Sequence, residues 1–308
     1  MKAIVCTKSG SPEVLQLKEI PKPSPKDNEI LVKICASSVT IGDVRLRKIS
    51  RLILFPIGLL FGFKAMKITG VEFAGVVEEF GKSVTRFKKG DKVFGTTTGL
   101  KFGGNAEYVC IPEKWKHGVV HLKPGNLSFA ESAVVPVGGM TALHILKKAN
   151  IEKNQKALIY GASGSVGTYA VQIAKYFGAE VTGICSANNL KLVKSIGADK
   201  VIDYTKENFQ NGGIFYDVIF DAVGKISKSR CKNILKKNGS YLTVKLPTSE
   251  KTEYLSFLKE LIEQEKIIPV IDKNYPLEQT IEAHRYVEEG HKKGNVSITV
   301  IHDVADSK

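Results

Sequence analysis

The apolar positions of this chain follow two different rhythms. Along residues 1–122, short apolar stretches alternate with Gly, Pro and Asp turns, a pattern that predicts β-strands. The strands are expected at Ile30–Ala36, Gly75–Glu79, Asp91–Gly95 and Ala106–Ile111. A turn at Asp43–Lys48 is the only hint of helix in this part of the sequence. The first third of the chain therefore reads as mostly β-structure.

Near Leu127 the pattern changes to strands that alternate with helices. Ser128 is a predicted N-cap because Glu131 follows three residues later, and a second helix is expected at Thr141–Ala149. Further strands are predicted at Lys156–Tyr160, Glu180–Cys185, Lys200–Tyr204, Tyr216–Val223 and Gly239–Val244, and further helices at Val166–Phe177, Asn189–Ile196 and Lys228–Lys236. Short apolar strands separated by helices predict a parallel sheet with both faces covered.

The end of the chain returns to mixed structure. A helix is predicted at Glu253–Glu265, a second at Leu277–Glu289 and a last strand at Asn295–Val300. A length of 308 residues favours two domains. We therefore expect a β-rich first part at 1–122, an α/β domain at 123–264, and a return of the chain at 265–308.

The motif with the clearest chemistry is Tyr160–Gly167, YGASGSVG, which lies between a predicted strand and a predicted helix. Gly161 suits a tight turn, Gly164 leaves room for a pyrophosphate, and Gly167 lets helix and strand pack closely. Ala162 stands where the common form of the motif has its first glycine. The free N–H groups of the helix would then face the phosphates. This predicts dinucleotide binding, with a plain tight turn as the alternative.

The end of the second strand of this sheet bears on which dinucleotide binds. An NAD site places an acidic residue there for the ribose 2′-hydroxyl, whereas Glu180–Cys185 continues into Ser186 with no acid. Ser186 and Asn189 can donate hydrogen bonds to a 2′-phosphate, and Lys191 or Lys194 can add positive charge. NADPH is therefore expected and NADH less so. The alternative is that Ser186 and Asn189 only cap the next helix.

The net charge of +14 leaves nucleic acid or an anionic membrane open as partners. The lysines are spread along the sequence, which favours a solvated surface and makes nucleic acid unlikely as a partner. The apolar run Leu52–Phe63 is too short to span a bilayer and reads as a buried loop or pocket wall. Basic residues on both sides of it, from Lys48 to Lys67, keep contact with a membrane surface as a lesser alternative.

Two further features of the sequence indicate a cytoplasmic location. Five cysteines are scattered singly, as in a reducing compartment: Cys6, Cys35, Cys110, Cys185 and Cys231. The N-terminal residues lead straight into a strand-like pattern with no apolar stretch of the kind that directs secretion.

Several stretches beyond the glycine loop carry a resemblance to a known family. They are Leu31–Asp43, Gly70–Phe80, Phe87–Gly95, Ala106–Pro112, Val135–Leu143, Ile159–Gly167, Gly197–Tyr204, Asp217–Gly224 and His291–Val300. With these, nearly the whole chain resembles the medium-chain dehydrogenase/reductase superfamily, and it looks most like the zinc-independent, quinone-oxidoreductase-like branch. The resemblance implies an α/β fold class: a doubly wound Rossmann domain inserted into a GroES-like, β-rich catalytic domain formed by both ends of the chain.

The resemblance also implies which residues hold the cofactor. Thr141 is expected near the nicotinamide, and Gly294 and Asn295 are expected to close over it. The pyrophosphate would lie on the loop of Gly161, Ser163, Gly164, Ser165, Val166 and Gly167. The adenosine phosphate end would meet Ser186, Asn189 and Tyr204. The adenine-ribose side would be lined by Asp221, Ala222, Val223 and Val244.

The sequence departs from the family at three places. Thr40 stands where many quinone-oxidoreductase-like members have Asn, and neither Asn188 nor Asn189 is the basic residue common there. The connection Lys245–Thr252 lacks the helix and edge strand that relatives usually have. Because that edge strand commonly pairs across a dimer, both a monomer and a homodimer stay open.

A catalytic zinc is not expected. Such a site needs three protein ligands, and zinc-dependent relatives place a Cys within the segment that matches Ser37–Asp43 and a His where Val71 stands. Neither is present, and the clustered cysteines of the structural zinc lobe are also missing. His117, His121 and His144 have no partner at ligand spacing.

Without a metal to polarise a ketone, the fitting acceptors are already electrophilic. We therefore expect transfer of a hydride from NADPH to a small hydrophobic quinone or α,β-unsaturated carbonyl. Thr40 is a candidate donor to the acceptor oxygen and Asp43 a candidate for orienting its loop; alternatively the two residues only fix a turn. The alternative functions are an alcohol dehydrogenase or enoyl reductase of the same superfamily, or an NADPH-linked RNA-binding protein with little turnover.

Overall fold

A computed structural model describes residues 1–49, 68–99, 102–211 and 213–301. The run Leu52–Phe63, expected as a pocket wall, lies outside the described residues. Fourteen strands occur in the described ranges: β1 Lys2–Cys6, β2 Leu15–Glu19, β3 Glu29–Ser38, β4 Glu72–Phe80, β5 Lys92–Thr96, β6 Tyr108–Pro112, β7 Val120–Leu122, β8 Lys156–Tyr160, β9 Glu180–Cys185, β10 Lys200–Asp203, β11 Tyr216–Asp221, β12 Leu235–Thr243, β13 Ile271–Pro276 and β14 Asn295–Thr299. The α-helices of the same ranges are α1 Ile41–Lys48, α2 Phe129–Ala133, α3 Pro136–Lys148, α4 Ser165–Tyr176, α5 Leu190–Ser195, α6 Thr252–Glu263 and α7 Thr280–Glu289.

The chain divides into two compact units. One, which we call the β-rich unit, comprises Met1–Val137, Glu250–Lys259 and Ile271–Lys308. The other, which we call the parallel-sheet unit, comprises Gly138–Ser249 and Glu260–Val270.

The parallel-sheet unit is built on five parallel strands in the order β10-β9-β8-β11-β12. The order reverses between β8 and β11, where Leu158 pairs with Ile219. Both residues are fully buried, as expected for the centre of a sheet covered on two faces. This is the strand order of a doubly wound fold, in which ligands bind beyond the carboxyl ends of the strands at the reversal.

The β-rich unit contains a seven-stranded sheet that joins the two ends of the chain. Its order is β13-β14-β3-β4-β5-β7, with β6 also paired to β3. The C-terminal strand β14 runs antiparallel to β3, and Ile298 lies opposite Ser37. Buried side chains of β3, β4 and β5, such as Ile34, Phe73 and Val93, pack into one apolar cluster. Strands from both ends of the chain therefore belong to one sheet.

Several local predictions hold and one is wrong. Ser128 caps α2 as expected: its Oγ accepts from the Glu131 N–H at 3.2 Å and its N–H donates to the Glu131 carboxylate at 2.8 Å. The helix expected at Lys228–Lys236 is wrong, since only a 3₁₀ turn forms at Ser229–Cys231. Residues from Leu235 onward are extended because they pair with β11, and this pairing overrides the helical spacing.

Helix α3 begins earlier than the sequence predicts, and its glycines lie inside the helix. It starts at Pro136, a residue suited to the first turn, rather than at Thr141. A Cβ atom on Gly138 would lie 3.0 Å from Ser165 Oγ and from the ring of Tyr169. Glycine is used there because α3 passes close to the start of α4, and it does not end the helix.

A fully buried arginine connects α1 to α7. Arg47 Nε donates to the Gly10 carbonyl at 3.0 Å, its Nη1 donates to His284 Nδ1 at 3.1 Å, and its Nη2 pairs with Glu288. Burial and the adjacent guanidinium lower the pKa of His284 to about 3, so the imidazole is neutral and can accept this bond. The charge of Arg47 is thus satisfied on every side that the structure describes.

We predict that Arg47→Ala lowers the free energy of unfolding by about 3 kcal/mol, because it leaves buried partners without their donor. The matched control is Arg285→Ala, since Arg285 pairs with Glu13 at 2.8 Å while half exposed. Exposed pairs contribute up to about 1 kcal/mol. Urea denaturation of both variants measures the difference, and equal losses would contradict the structural importance given to Arg47.

Candidate functional site

The turn after β8 has the geometry that the glycine motif requires. Gly161 has a φ of +78°, a conformation that L side chains rarely adopt. A Cβ atom on Gly167 would lie 2.1 Å from the Gly161 carbonyl oxygen, which only glycine avoids. A Cβ on Gly161 would also lie 2.5 Å from Val223 Cγ1, so the ends of β8 and β11 are in close contact here. Two of the three glycines are therefore fixed by packing of the protein itself.

Gly164 has a different environment, which fits a ligand. It is the N-cap of α4, with φ −82°, and it provides no side-chain cap for the N–H groups of the first turn. A Cβ atom on it would meet its nearest neighbour, the Gly161 carbonyl oxygen, at 3.4 Å, an ordinary contact. Uncapped N–H groups at the start of a 12-residue helix form an anion site. The loop thus fits the pyrophosphate of a dinucleotide, with Ser163, Ser165 and Val166 around it.

Of the residues expected at the adenosine phosphate end, Ser186 and Asn189 follow β9, and Tyr204 follows the neighbouring strand β10. Asn189 is buried, and its Nδ2 donates to Ser163 Oγ at 3.0 Å and to Ser186 Oγ at 3.2 Å. This amide therefore ties the pyrophosphate loop to the end of β9. Tyr204 is 52% exposed, and its ring centroid lies 6.2 Å from that of Tyr160.

An acid that the sequence reading did not weigh lies near this end of the sheet. Asp203, at the end of β10, is buried and in register with Cys185. The hydroxyl of Thr205 and the backbone N–H groups of Thr205 and Ala187 lower its pKa, so it is a carboxylate at neutral pH. The sequence feature that could have identified Asp203 is an acid directly after the apolar residues of the strand next to β9.

The residues expected on the adenine-ribose side lie at the carboxyl ends of β11 and β12. Asp221 is fully buried, and its carboxylate accepts from the N–H groups of Val223 at 3.2 Å, Gly224 at 2.8 Å and Ile226 at 3.0 Å. Asp221 therefore shapes the turn that presents Ala222 and Val223. Val244 joins this edge because its N–H donates to the Asp221 carbonyl at 3.1 Å.

Of the three residues expected near the nicotinamide, one belongs to the parallel-sheet unit and two to the β-rich unit. Thr141 is half-buried in the second turn of α3, the helix that passes beside the start of α4. Gly294 and Asn295 are buried at the start of β14.

In the β-rich unit, Thr40 and Asp43 form a capping box for α1. Thr40 Oγ1 accepts from the Asp43 N–H at 3.2 Å and donates to Asp43 Oδ2 at 2.6 Å, and the Thr40 N–H donates to the same oxygen at 2.8 Å. Burial raises the pKa of Asp43 to about 6, so it remains mostly a carboxylate at neutral pH. Thr40 and Asp43 therefore fix the turn before α1, and the single proton of the Thr40 hydroxyl is donated to Asp43.

Glu72 is a buried carboxyl that the sequence analysis included only as part of the stretch Gly70–Phe80. It is 1% exposed at the start of β4; its Oε1 accepts from the Val137 N–H at 2.6 Å and its Oε2 accepts from Ser38 Oγ. Burial, with smaller contributions from Asp43 and Glu250, raises the pKa of Glu72 to about 8. An acid at the start of an otherwise apolar stretch was the available signal, but its burial depends on distant parts of the chain.

The same carboxyl affects a lysine of the C-terminal segment. Lys292 is half-buried, and its Nζ donates to the Gly294 carbonyl. Burial lowers the pKa of Lys292 to about 8, against the opposite effects of Glu72 and Asp272.

The described residues contain no group of three or more His, Cys, Asp or Glu side chains placed to hold a metal ion. His121 Nδ1 lies 3.2 Å from the Leu122 carbonyl oxygen, and His144 Nδ1 lies 3.3 Å from Ser249 Oγ. In the part of the chain that the structure describes, no helix is long and apolar enough to cross a membrane.

Two family descriptions match the chain and together span most of it. Residues 26–144 match the alcohol dehydrogenase GroES-like domain, and residues 165–272 match the zinc-binding dehydrogenase family.

Named proteins match over nearly the whole chain. The chain is 35% identical to a 2-methylene-furan-3-one reductase of Solanum lycopersicum, over 99% of this chain and 79% of that protein. It is 31% identical to an NADPH-dependent alkenal/one oxidoreductase, chloroplastic, of Arabidopsis thaliana, over 97% and 79%. The solved quinone oxidoreductase from Coxiella burnetii superposes with a TM-score of 0.83 at 27% identity, over 98% of this chain and 99% of that one.

These matches agree with the strand order, the glycine turn and the sheet that joins the two chain ends. They confirm the GroES-like and Rossmann-type folds expected from the sequence. The named relatives are reductases or oxidoreductases, and one of them is named for its dependence on NADPH. The chain belongs to the medium-chain dehydrogenase/reductase superfamily, in its quinone-oxidoreductase-like branch.

Proposed function

We propose that this protein reduces quinones or α,β-unsaturated carbonyls with NADPH and without zinc. The observation that carries the proposal is the uncapped N-terminus of α4 behind Gly164, at the point where the strand order reverses. A dinucleotide pyrophosphate is the anion that this geometry suits. When bound, the nicotinamide supplies the hydride, and the residues of this chain supply binding and orientation.

The preference for NADPH rests on the end of β9. Ser186 and Asn189 offer polar groups where a 2′-phosphate would lie, and a relative is named for its dependence on NADPH. Asp203 is a carboxylate near the same turn and opposes a phosphate electrostatically. We therefore propose NADPH as the preferred cofactor, with a modest margin over NADH.

The acceptor is proposed to be a small, hydrophobic, electrophilic carbonyl. The names of the relatives support this class, which covers an alkenal/one, a furanone and quinones. Thr40 and Asp43 are proposed to shape the catalytic loop of the GroES-like domain through their capping box. Thr40 can meet an acceptor oxygen only if its proton leaves Asp43.

The domain assignment and the location are part of the proposal. We propose residues 1–122 and 265–308 as the catalytic domain and 123–264 as the Rossmann domain, which the two compact units support in outline. The five cysteines, all within the described residues, form no disulfide, which supports a reducing compartment such as the cytoplasm. For the oligomeric state, we propose a monomer or a homodimer.

The direct test follows oxidation of NADPH and NADH with a simple quinone and with an enone, with and without a chelator. We expect turnover that depends on an acceptor, favours NADPH and is unaffected by chelation. Chelator-sensitive turnover would contradict the zinc-independent mechanism. Consumption of neither cofactor with any acceptor of these classes would contradict the proposed reaction.

We predict that Gly164→Ala weakens NADPH binding at least about tenfold while the protein keeps its thermal stability, because the added methyl group meets the ligand but has room in the free protein. The contrasting variant is Gly167→Ala, whose Cβ would lie 2.1 Å from a backbone oxygen and should lower the melting temperature. Fluorescence titration with NADPH and thermal melts measure both effects. Unchanged NADPH affinity in Gly164→Ala would place the cofactor elsewhere.

We predict that Ser186→Ala raises the Kd for NADPH roughly tenfold and leaves that for NADH nearly unchanged, since a hydrogen bond to a charged phosphate contributes about 1.5–3 kcal/mol. The matched control is Ser195→Ala, because Ser195 is exposed on α5 and its Oγ bonds the Leu192 carbonyl. Binding of 2′,5′-ADP and 5′-AMP gives a readout without turnover. An equal effect on both nucleotides would show that Ser186 only positions Asn189, whose Nδ2 donates to its Oγ at 3.2 Å.

A further inference from the structure

One side-chain amide connects two loops of the parallel-sheet unit. Ser163 is buried in the turn between β8 and α4, and Ser186 is half-buried directly after β9. Asn189 Nδ2 donates to Ser163 Oγ at 3.0 Å and to Ser186 Oγ at 3.2 Å. An amide nitrogen carries two hydrogens, so both side-chain donors of Asn189 are used inside the protein. Asn189 therefore has no side-chain donor left for a phosphate.

The side chain of Asn189 does not serve the helix that it begins. Asn189 is the N-cap residue of α5 and Ser186 is the N-cap residue of the 3₁₀ turn Ala187–Asn189, yet neither side chain makes a capping hydrogen bond. Asn189 is 8% exposed, and its Oδ1 has no partner among the described residues. A buried acceptor without a partner is unfavourable, and asparagine is one of the best capping residues. The amide therefore bonds the two serines in place of the helix backbone.

The direction of these two bonds decides where the serine protons can go. Each serine oxygen accepts a hydrogen from Asn189, so its own proton points away from the amide. Neither hydroxyl donates that proton to another group in the part of the chain that the structure describes. Phosphate oxygens are strong acceptors of hydrogen bonds. Two hydroxyls that present their protons are therefore suited to an anionic ligand.

We propose that Asn189 is a positioning residue, which orients the hydroxyls of Ser163 and Ser186 towards the pyrophosphate and the 2′-phosphate of one NADPH molecule. This role rests on the proposed function, which assigns the pyrophosphate to the loop of Ser163 and the 2′-phosphate to the end of β9. NADH lacks the 2′-phosphate, so it uses Ser163 alone, whereas NADPH uses both serines. Asn189 thus strengthens the binding of both cofactors and sets part of the preference between them.

The first experiment removes the amide and keeps a side chain of similar size. Asn189→Leu should raise the Kd for NADPH about tenfold or more and that for NADH by a smaller factor, because NADPH loses two oriented hydroxyls and NADH loses one. The matched control is Asn188→Leu, the same substitution at the exposed neighbouring position, which should have a much smaller effect. Fluorescence titration gives the Kd values, and thermal melts report folding. Equal factors for NADPH and NADH would overturn the proposal.

The second experiment separates action through the serines from direct contact with the cofactor. In a Ser186→Ala background, adding Asn189→Leu should leave the ratio of the Kd values for NADH and NADPH unchanged, because the hydroxyl that meets the 2′-phosphate is already absent. In a Ser163→Ala background, the same addition should leave the Kd for NADH unchanged. A further change in either quantity would show direct contact or a purely structural role, and it would contradict positioning through the serines.

A third variant keeps the shape of the side chain and reverses its hydrogen bonding. The carboxylate of Asn189→Asp only accepts hydrogen bonds, so both serines would turn their protons towards it and away from a phosphate. NADPH binding should weaken about a hundredfold, more than in Asn189→Leu. Asn188→Asp adds the same charge one residue away without these bonds. Equal losses in the two aspartate variants would mean that charge alone acts, and they would refute the positioning role.

The positioning role and the proposed function fail in different ways. If the wild-type protein binds NADPH and Gly164→Ala weakens that binding, the dinucleotide site stands, and the Asn189 variants then decide the positioning role alone. If the wild-type protein binds neither NADPH nor NADH in the same titrations, the proposed function and the positioning role are both overturned.

Discussion

The parallel-sheet unit depends on one constraint, which is that the backbone must turn sharply out of β8 and enter α4 without side chains in the way. Gly161 meets the conformational part of this constraint with its positive φ, and Gly167 meets the packing part by its contact with the Gly161 carbonyl. The consequence is that the first N–H groups of α4 are left without side-chain caps. An anion suits a helix start of this kind, and the proposed cofactor chemistry rests on that fit.

The β-rich unit solves a different problem, since it buries ionisable groups rather than leaving polar groups open. Arg47 is fully surrounded by partners and its role is structural, whereas Glu72 has partners but keeps a raised pKa. Burial is the main reason that the pKa of Glu72 is raised, and the neighbouring charges add to it. Glu288 and the neutral His284 suit the cation of Arg47, whereas Asp43 and Glu250 make ionisation of Glu72 less favourable. A buried acid with a raised pKa is more typical of a functional group than of a stabilising one.

A feature could be predicted from the sequence when it depends on residues close together in the chain, and not when it depends on distant segments. The glycine turn, the Ser128 cap and the alternating strands are local, so their residues could be identified from spacing alone. The strand beginning at Leu235 could not, because its pairing with β11 overrides a helical pattern. Asp43 and Glu250 raise the pKa of Glu72 from distant segments, so this effect had no signature in any one stretch. The acid Asp203 belongs to a neighbouring strand and bears on cofactor choice only through sheet register.

The central claim is that hydride passes directly from the nicotinamide to an electrophilic acceptor. The most direct measurement uses NADPH carrying deuterium on one face of C4, with an enone as acceptor, followed by mass spectrometry and NMR of the product. The account predicts that one of the two deuterated forms transfers its label, and that the label appears at the β-carbon of the enone. Product without label from either form, or label scrambled between the α- and β-carbons, would contradict direct hydride transfer.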